Sequence, residues 1–216
     1  MGTITRSFAN NITTSGVLLP ASLTNNSIAN VTAYNASVAT GGMKLISSQT
    51  ASASASISFT TGIDSTYKEY QFYFINLHAS AISTFSFQTS TDGGSNYGVT
   101  ATTTYFNAGH NEADNDTFLS YNTGRDLAQS TAFQQLAQQT NTGNDDNTCG
   151  VLQLFNPAST TSVKHFINRV TNSDSAYAWD INVAGYFNTT SAINAVQFKF
   201  SSGNIDDGTI LMFGIV

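Results

Sequence analysis

The clearest alternation of side chains lies in the segment 68–79, KEYQFYFINLHA. Two sets of residues alternate along this segment. Tyr70, Phe72, Phe74 and Asn76 lie on one face, and Gln71, Tyr73, Ile75 and Leu77 lie on the other. A period of two with many aromatic residues predicts a β-strand. Because both sets contain bulky side chains, we expect a central strand, buried on one face by a second sheet and partly covered on the other.

Similar extended runs follow along the chain, and polar turns separate them. The runs that we predict as strands are 44–48, 57–60, 68–79, 82–90, 99–106, 118–121, 150–155, 163–170, 177–187, 195–200 and 209–215. Phe85 and Phe87 should share one face of their strand, as should Phe166 and Val170 of theirs. Many short strands joined by polar turns favour an all-β fold, an antiparallel β-sandwich of jelly-roll type.

One segment departs from this period. In residues 126–139, DLAQSTAFQQLAQQ, the apolar positions approximate helical spacing; they are Leu127, Phe133, Leu136 and Ala137. This spacing predicts one short helix, with a strand through Phe133 as the alternative.

Residues 1–42 have few aromatic side chains, and their apolar positions are too widely spaced for a core of their own. Two interpretations stay open: a flexible tail, or an extended attachment arm that becomes ordered when it docks on neighbouring subunits. The predicted domains are therefore an arm, 1–42, and a β domain, 43–216. The candidate partner-binding residues of the arm are Ile4, Phe8, Ile12, Val17, Leu18, Leu19, Leu23, Ile28 and Val31.

The chain is unusually poor in charge. Charged residues make up 9% of the 216 residues, against about 25% in an ordinary globular protein. A neutral surface of hydroxyl and amide groups suits association between copies. The net charge is −6 with only 7 Lys and Arg, which disfavours binding to nucleic acid or to an anionic membrane. No apolar run approaches the roughly 20 residues of a membrane-spanning helix.

Few residues offer chemistry. The three histidines are scattered, Cys149 is the single cysteine, and no GxSxG motif occurs. The alternating carboxylates Glu112, Asp114 and Asp116 form a weak calcium candidate, because Ca²⁺ accepts carboxylate and amide oxygens. A solvated acidic loop is the alternative. We predict no enzyme and no cofactor, and this loop is where a polysaccharide depolymerase would first be sought.

Four stretches stand out as a set: MGTITRSFANNITTSG at the start, ISFTTGIDSTYKEYQFYFINLH and TSTDGGSNYGVT in the middle, and FSSGNIDDGTILMFGI at the end. Together they resemble virion proteins of marine and freshwater tailed phages, over nearly the whole chain. The resemblance implies an exposed virion component with a jelly-roll-like domain and an N-terminal attachment segment. It supplies no catalytic residue.

Composition and resemblance lead to two hypotheses. The first is a capsid decoration or cement protein, a homo-oligomer expected to be a trimer, which docks on the phage capsid by its arm. The alternative is a tail fibre or receptor-binding protein that recognises host surface glycan through the loops 91–97, 107–117 and 141–148. In both cases we expect assembly in the host cytoplasm and a place on the virion surface.

Overall fold

Twelve β-strands account for the regular structure of residues 42–174 and 176–216, which the computed structural model describes. They are β1 (Met43–Thr50), β2 (Ile57–Phe59), β3 (Glu69–Ala79), β4 (Ser83–Ser90), β5 (Ala101–Asn111), β6 (Thr117–Tyr121), β7 (Gln134–Thr140), β8 (Thr148–Phe155), β9 (Lys164–Ser173), β10 (Tyr177–Phe187), β11 (Ala195–Phe200) and β12 (Ile205–Ile215). All of them except β7 overlap the runs predicted as strands.

The strands form two antiparallel sheets packed face to face. The broad sheet has the order β1-β12-β3-β8-β9-β10-β5-β6, and the narrow sheet has the order β2-β11-β4-β7. Without β5, β6, β9 and β10, the remaining eight strands have the order of a jelly roll, 1-8-3-6 facing 2-7-4-5. The other four strands extend the broad sheet beyond β8. The predicted antiparallel sandwich is therefore confirmed.

The core lies where aromatic residues of the two inner faces meet. Phe198 of the narrow sheet is at its centre and has five aromatic neighbours, with ring centroids 5.2–6.2 Å away: Phe59, Phe72, Phe74, Phe85 and Phe87. Most of these pairs are edge-to-face or tilted, an arrangement that the ring quadrupole favours. Phe85 and Phe87 share the inner face, as the alternation predicts, and so do Phe166 and Val170.

The predicted alternation fails at the end of β3. Up to Ile75 it holds, but the pairing registers shift between Phe74 and Leu77, and Asn76 has a φ of +50°. Gly208 lies so close to this bulge that an added Cβ would come within 2.5 Å of the Asn76 carbonyl oxygen. Because a bulge adds one residue to the strand, Leu77 joins Phe74 in the core and Asn76 faces outward. The predicted orientations of Asn76 and Leu77 are wrong.

The predicted helix in 126–139 is also wrong. Residues before 134 are irregular, Ser130 exchanges backbone hydrogen bonds with Ala101, and β7 begins at Gln134. β7 completes the narrow sheet by pairing with β4, and this tertiary pairing outweighs a loose helical spacing. The alternative prediction, a strand, is nearer, although the strand starts just after Phe133. The part of the chain that is described contains no helix that could span a membrane.

Candidate functional site

The largest candidate surface is the outer face of the broad sheet, which points away from the narrow sheet. Strand pairing aligns its side chains in rows across the sheet. One row contains Leu211, Tyr73, Val151, Arg169, Asn182, Phe106 and Tyr121, and the next contains Phe213, Gln71, Gln153, Ile167, Ala184 and Thr104. Their neighbours along each strand, such as Phe72 and Tyr105, are buried in the core.

This outer face is rich in exposed apolar side chains. Nine large hydrophobic residues are exposed in the described part of the chain, and seven of them lie on this face: Met43, Leu45, Ile75, Phe106, Leu119, Tyr121 and Ile167. The other two, Ile82 and Val216, lie in the β3–β4 turn and at the C-terminus. Leu119 keeps 74% of its surface exposed. The apolar residues are thus concentrated on one surface rather than scattered.

The outer face of the narrow sheet is built differently. Its outward residues are polar: Ser58, Ser86, Gln88, Gln197 and Lys199. The segment that precedes β7 covers part of this face, because the Gln88 amide donates to the carbonyls of Thr131 and Ala132, and the Lys199 ammonium lies 4.1 Å from the ring centre of Phe133. An antiparallel sheet with one solvated face normally places polar residues outward. Only the broad sheet departs from this rule, and a concentrated apolar face is typical of a contact surface.

The polar groups on the outer face of the broad sheet are nearly neutral as a set. Arg169 forms a two-pronged ion pair with Asp180, at 2.8 and 3.0 Å, and this pairing raises the pKa of the guanidinium. The carboxylate of Glu69 accepts hydrogen bonds from the amides of Gln71, at 2.6 Å, and Gln153, at 3.3 Å. One uncompensated carboxylate therefore remains on a face that otherwise carries hydroxyl, amide and apolar groups and the imidazole of His165.

The face also contains a shallow hollow of about 440 Å³. The small residues Ala184 and Gly185 lie at the hollow, and bulkier side chains surround them, including His165, Tyr186 and Ile167. Ile167 keeps 48% of its surface exposed. The outer face therefore has both raised apolar side chains and a depression beside them.

The calcium candidate lies at the β5–β6 turn. The Asp114 carboxylate pairs with His110, 3.1 Å away, while the Asp116 carboxylate accepts the Tyr177 hydroxyl at 2.9 Å and so raises the pKa of that tyrosine. The backbone N–H of Glu112 donates a hydrogen bond to the Ala176 carbonyl. Within residues 42–174 and 176–216, no three His, Cys, Asp or Glu side chains form a group that could hold a metal ion. Calcium binding stays a prediction without a supporting ligand set.

A polar depression of about 380 Å³ lies near the bulge of β3, and sequence reasoning missed it. It is lined by Asn76, His78, Asn144, Asp146, Asn147, Asp206 and Asp207. The two ring nitrogens of His78 lie 3.5 Å from the Asp206 carboxylate and 3.0 Å from the Gly143 carbonyl oxygen. No local motif links these residues, since only the pairing of β3 with β12 and the turn before β8 bring them together. The depression therefore combines amide groups with carboxylates and one imidazole, all of which can form hydrogen bonds.

The three loops predicted to recognise glycan do not share one surface. The predicted loops 107–117 and 141–148 are shorter than expected, because β5 extends to Asn111, β6 begins at Thr117 and β8 begins at Thr148. Loop 91–97 lies before β5 and loop 112–116 directly after it, and the eleven residues of β5 span roughly 35 Å. The loop 141–147 lies with the second of these, because Asn141 donates to the Asp174 carbonyl and Ala176 accepts from Glu112. Two of the three loops therefore share one end of the sandwich, together with the His78 depression.

Loop 91–97, at the other end, is held by its own hydrogen bonds. The Asp92 carboxylate accepts the Ser90 hydroxyl at 2.6 Å and both the backbone and the amide of Asn96, at 2.9 and 2.7 Å. These bonds, the one from Ser90 first, lower the pKa of Asp92 to about 2. The Asp92 carboxylate is therefore engaged within the turn itself, whereas the buried Tyr97 hydroxyl of the same loop has no hydrogen-bond partner among the described residues.

The predicted arm, residues 1–42, lies outside the described residues except for Gly42, and so do all nine of its candidate partner-binding residues. Comparisons of the chain with protein-family models, with curated proteins and with solved structures find no match.

Proposed function

We propose that this chain is a non-enzymatic structural protein of a tailed-phage virion, a capsid decoration or cement protein. The observation that carries the proposal is the outer face of the broad sheet, where seven large apolar side chains are exposed. Such a surface suits a protein that works by contact with other proteins. The jelly-roll strand order, an architecture that occurs in viral capsid domains, and the resemblance of four stretches to phage virion proteins support the same proposal.

The mechanism of a cement protein is thermodynamic. Contact surfaces that are buried against several shell subunits at once stabilise the assembled shell. The gain in free energy is about 25 cal/mol for each Å² of apolar area removed from water. In our proposal the arm, residues 1–42, provides the attachment, and the β domain projects and associates with other copies. The shell then resists internal pressure because separation of its subunits would expose this area again.

The test is to compare particles assembled with the full chain and with a chain that lacks residues 1–42. We expect the truncated chain to be lost from purified particles, and a cryo-EM reconstruction of particles with the full chain should show its density on the icosahedral lattice. Denaturant unfolding of the truncated chain is the control that its β domain is intact. Unchanged incorporation of the truncated chain would contradict the attachment role.

The same reconstruction tests the second candidate, a tail fibre or receptor-binding protein. The observation in its favour is the polar depression beside His78, because amide and carboxylate groups at one end of a β-sandwich suit a hydroxyl-rich glycan. Density at the tail tip, with this end directed away from the particle, would replace the cement proposal with the receptor-binding one.

A further inference from the structure

We propose that the outer face of the broad sheet is the interface with a second copy of this chain, paired with two-fold symmetry. The inference deepens the proposed structural role and rests on it, but it names the surface, the partner and the symmetry. The dimer is measured on the purified chain alone, without particles. The dimer can therefore be absent while the particle experiment succeeds, and the particle experiment can fail while the dimer forms.

The area of the face is sufficient for a stable pair. Eight strands about 4.8 Å apart, with outward side chains over roughly 30 Å of strand length, cover on the order of 1,000 Å². A standard specific interface buries about 800 Å² on each partner. The exposed apolar side chains extend across the sheet, from Leu45 on β1 to Leu119 on β6, so a partner would have to cover most of the width to bury them.

The charge of the face favours another copy over a charged partner. The chain has a net charge of −6, yet Arg169 and Asp180 neutralise each other, so Glu69 is the one uncompensated carboxylate on the face, which also carries the imidazole of His165. The other carboxylates lie in loops and at strand ends, such as Asp92 and Asp114. Two copies can therefore bring these faces together without the like-charge repulsion that their net charges would cause elsewhere.

The polar groups of the face are self-complementary. Asn182 carries an amide that is both donor and acceptor, and Thr104 carries a hydroxyl that is both as well. Identical faces made of such groups can satisfy each other's hydrogen bonds, which a face of one sign of charge cannot do. The hollow beside Ala184 and the raised side chain of Ile167 give each copy both a depression and a projection. In an isologous interface the same patch serves on both subunits, so the pairing gives a dimer in place of the trimer expected earlier.

The experiment measures the mass of the full chain by sedimentation equilibrium over a series of protein concentrations. We expect a monomer–dimer equilibrium in the micromolar range, as interfaces of this size allow. Ile167→Glu should weaken the dimer at least tenfold, because it places two carboxylates inside the contact. The matched control is Ile82→Glu, the same change at an isoleucine that is exposed (56%) but outside the face, and it should leave the dimer unchanged.

Thr104→Glu is a second variant on the exposed part of the face, and it should also weaken the dimer. It keeps the test decisive if Ile167→Glu folds poorly. A dimer that survives both variants would overturn the proposal, and so would a trimer. A wild-type chain that stays monomeric would overturn it as well. If Ile167→Glu then removed the monomer from assembled particles, the face would belong to a contact with the shell protein.

Discussion

The two faces of the broad sheet differ in the kind of side chain that they carry and in how deeply those side chains are buried. The inner face contains large, fully buried aromatic side chains, among them Tyr70, Phe72 and Tyr105. The outer face combines exposed apolar residues with threonine, amides and one ion pair, Arg169 with Asp180. Neighbouring residues of β5 show the contrast directly, since Tyr105 is completely buried while Phe106 keeps 42% of its surface exposed.

This difference separates what stabilises the fold from what is available for function. The inner face is coupled to the narrow sheet through packed aromatic pairs, so changes there should affect the free energy of unfolding. The outer face packs against no second sheet within the described domain, so changes there should lower the stability of the isolated domain by less than changes on the inner face. Paired substitutions, one on each face, test whether this division is real.

The largest effect is expected from an aromatic residue on the inner face. Phe72 packs against Phe59 and Phe198, with ring centroids 5.4 and 5.3 Å away. Phe72→Ala should lower the free energy of unfolding by about 3–5 kcal/mol, because a buried ring is lost and a cavity is left. The matched change on the outer face, Phe106→Ala, should cost about 1–2 kcal/mol, since only part of that ring is buried.

Both values are measured by denaturant unfolding at a protein concentration low enough to dissociate any dimer. Equal losses at the two positions would show that the outer face contributes to the stability of the single domain, and the comparison of the two faces would then fail.

A second effect comes from ionisation of the inner-face tyrosine, Tyr105. Its hydroxyl is buried and has no hydrogen-bond partner of good geometry within the described residues. Burial raises its pKa to about 12 from a usual value of 10.0, although the nearby Arg125 guanidinium acts in the opposite direction. The folded state favours the neutral phenol, so this contribution to stability is complete below pH 10 and is lost as the pH rises towards 12. At about 1.4 kcal/mol for each pH unit, the loss over this window is roughly 3 kcal/mol.

Tyr105→Phe should therefore remove a large part of the alkaline destabilisation, with no cost at neutral pH. The comparison on the outer face is Tyr121, whose pKa is raised by its hydrogen bond to Asp126, 2.6 Å away. Because Tyr121 and this hydrogen bond are exposed, salt should weaken the influence of Asp126, whereas the burial of Tyr105 does not depend on salt. Unfolding of Tyr105→Phe and of the matched variant Tyr121→Phe is measured between pH 9 and about 12, at low and at high salt. An unchanged alkaline loss in Tyr105→Phe would contradict the burial argument.

Much of the fold could be predicted from period-two alternation, because each strand is amphipathic or aromatic on its own. The segment around Phe85 and Phe87 is an example, as is the segment around Phe166. The bulge at Asn76 could not be predicted, since it depends on the close approach of Gly208 from β12. The strand β7 was predicted only as the alternative to a helix, because its apolar positions are irregular and its pairing with β4 decides its structure.

The candidate surfaces were harder to predict than the strands. The outward positions of single strands, such as Tyr73 and Ile167, could be assigned from alternation. That they form one continuous face depends on the order and register of eight strands, which no local pattern contains. The same holds for His78 and Asp206, which lie far apart in the sequence and meet only through strand pairing.

The smallest predicted difference lies between two adjacent threonines of β5. On the inner face, the Thr103 hydroxyl accepts the Leu127 backbone N–H at 2.8 Å and donates to the Gln134 amide oxygen at 2.5 Å. Thr103→Val keeps the shape but leaves both partners unpaired in a buried site, which should cost about 1–3 kcal/mol.

On the outer face, the Thr104 hydroxyl donates to the Ala184 carbonyl at 3.2 Å in an exposed position. Thr104→Val should change the free energy of unfolding by no more than about 0.5 kcal/mol, because water replaces the lost bond. The two variants make the same chemical change one residue apart, so propensity and side-chain volume cancel in the comparison. If dilute chains carrying Thr104→Val unfold as easily as those carrying Thr103→Val, the outer face is not free in the single domain, and its proposed role as a contact surface loses its basis.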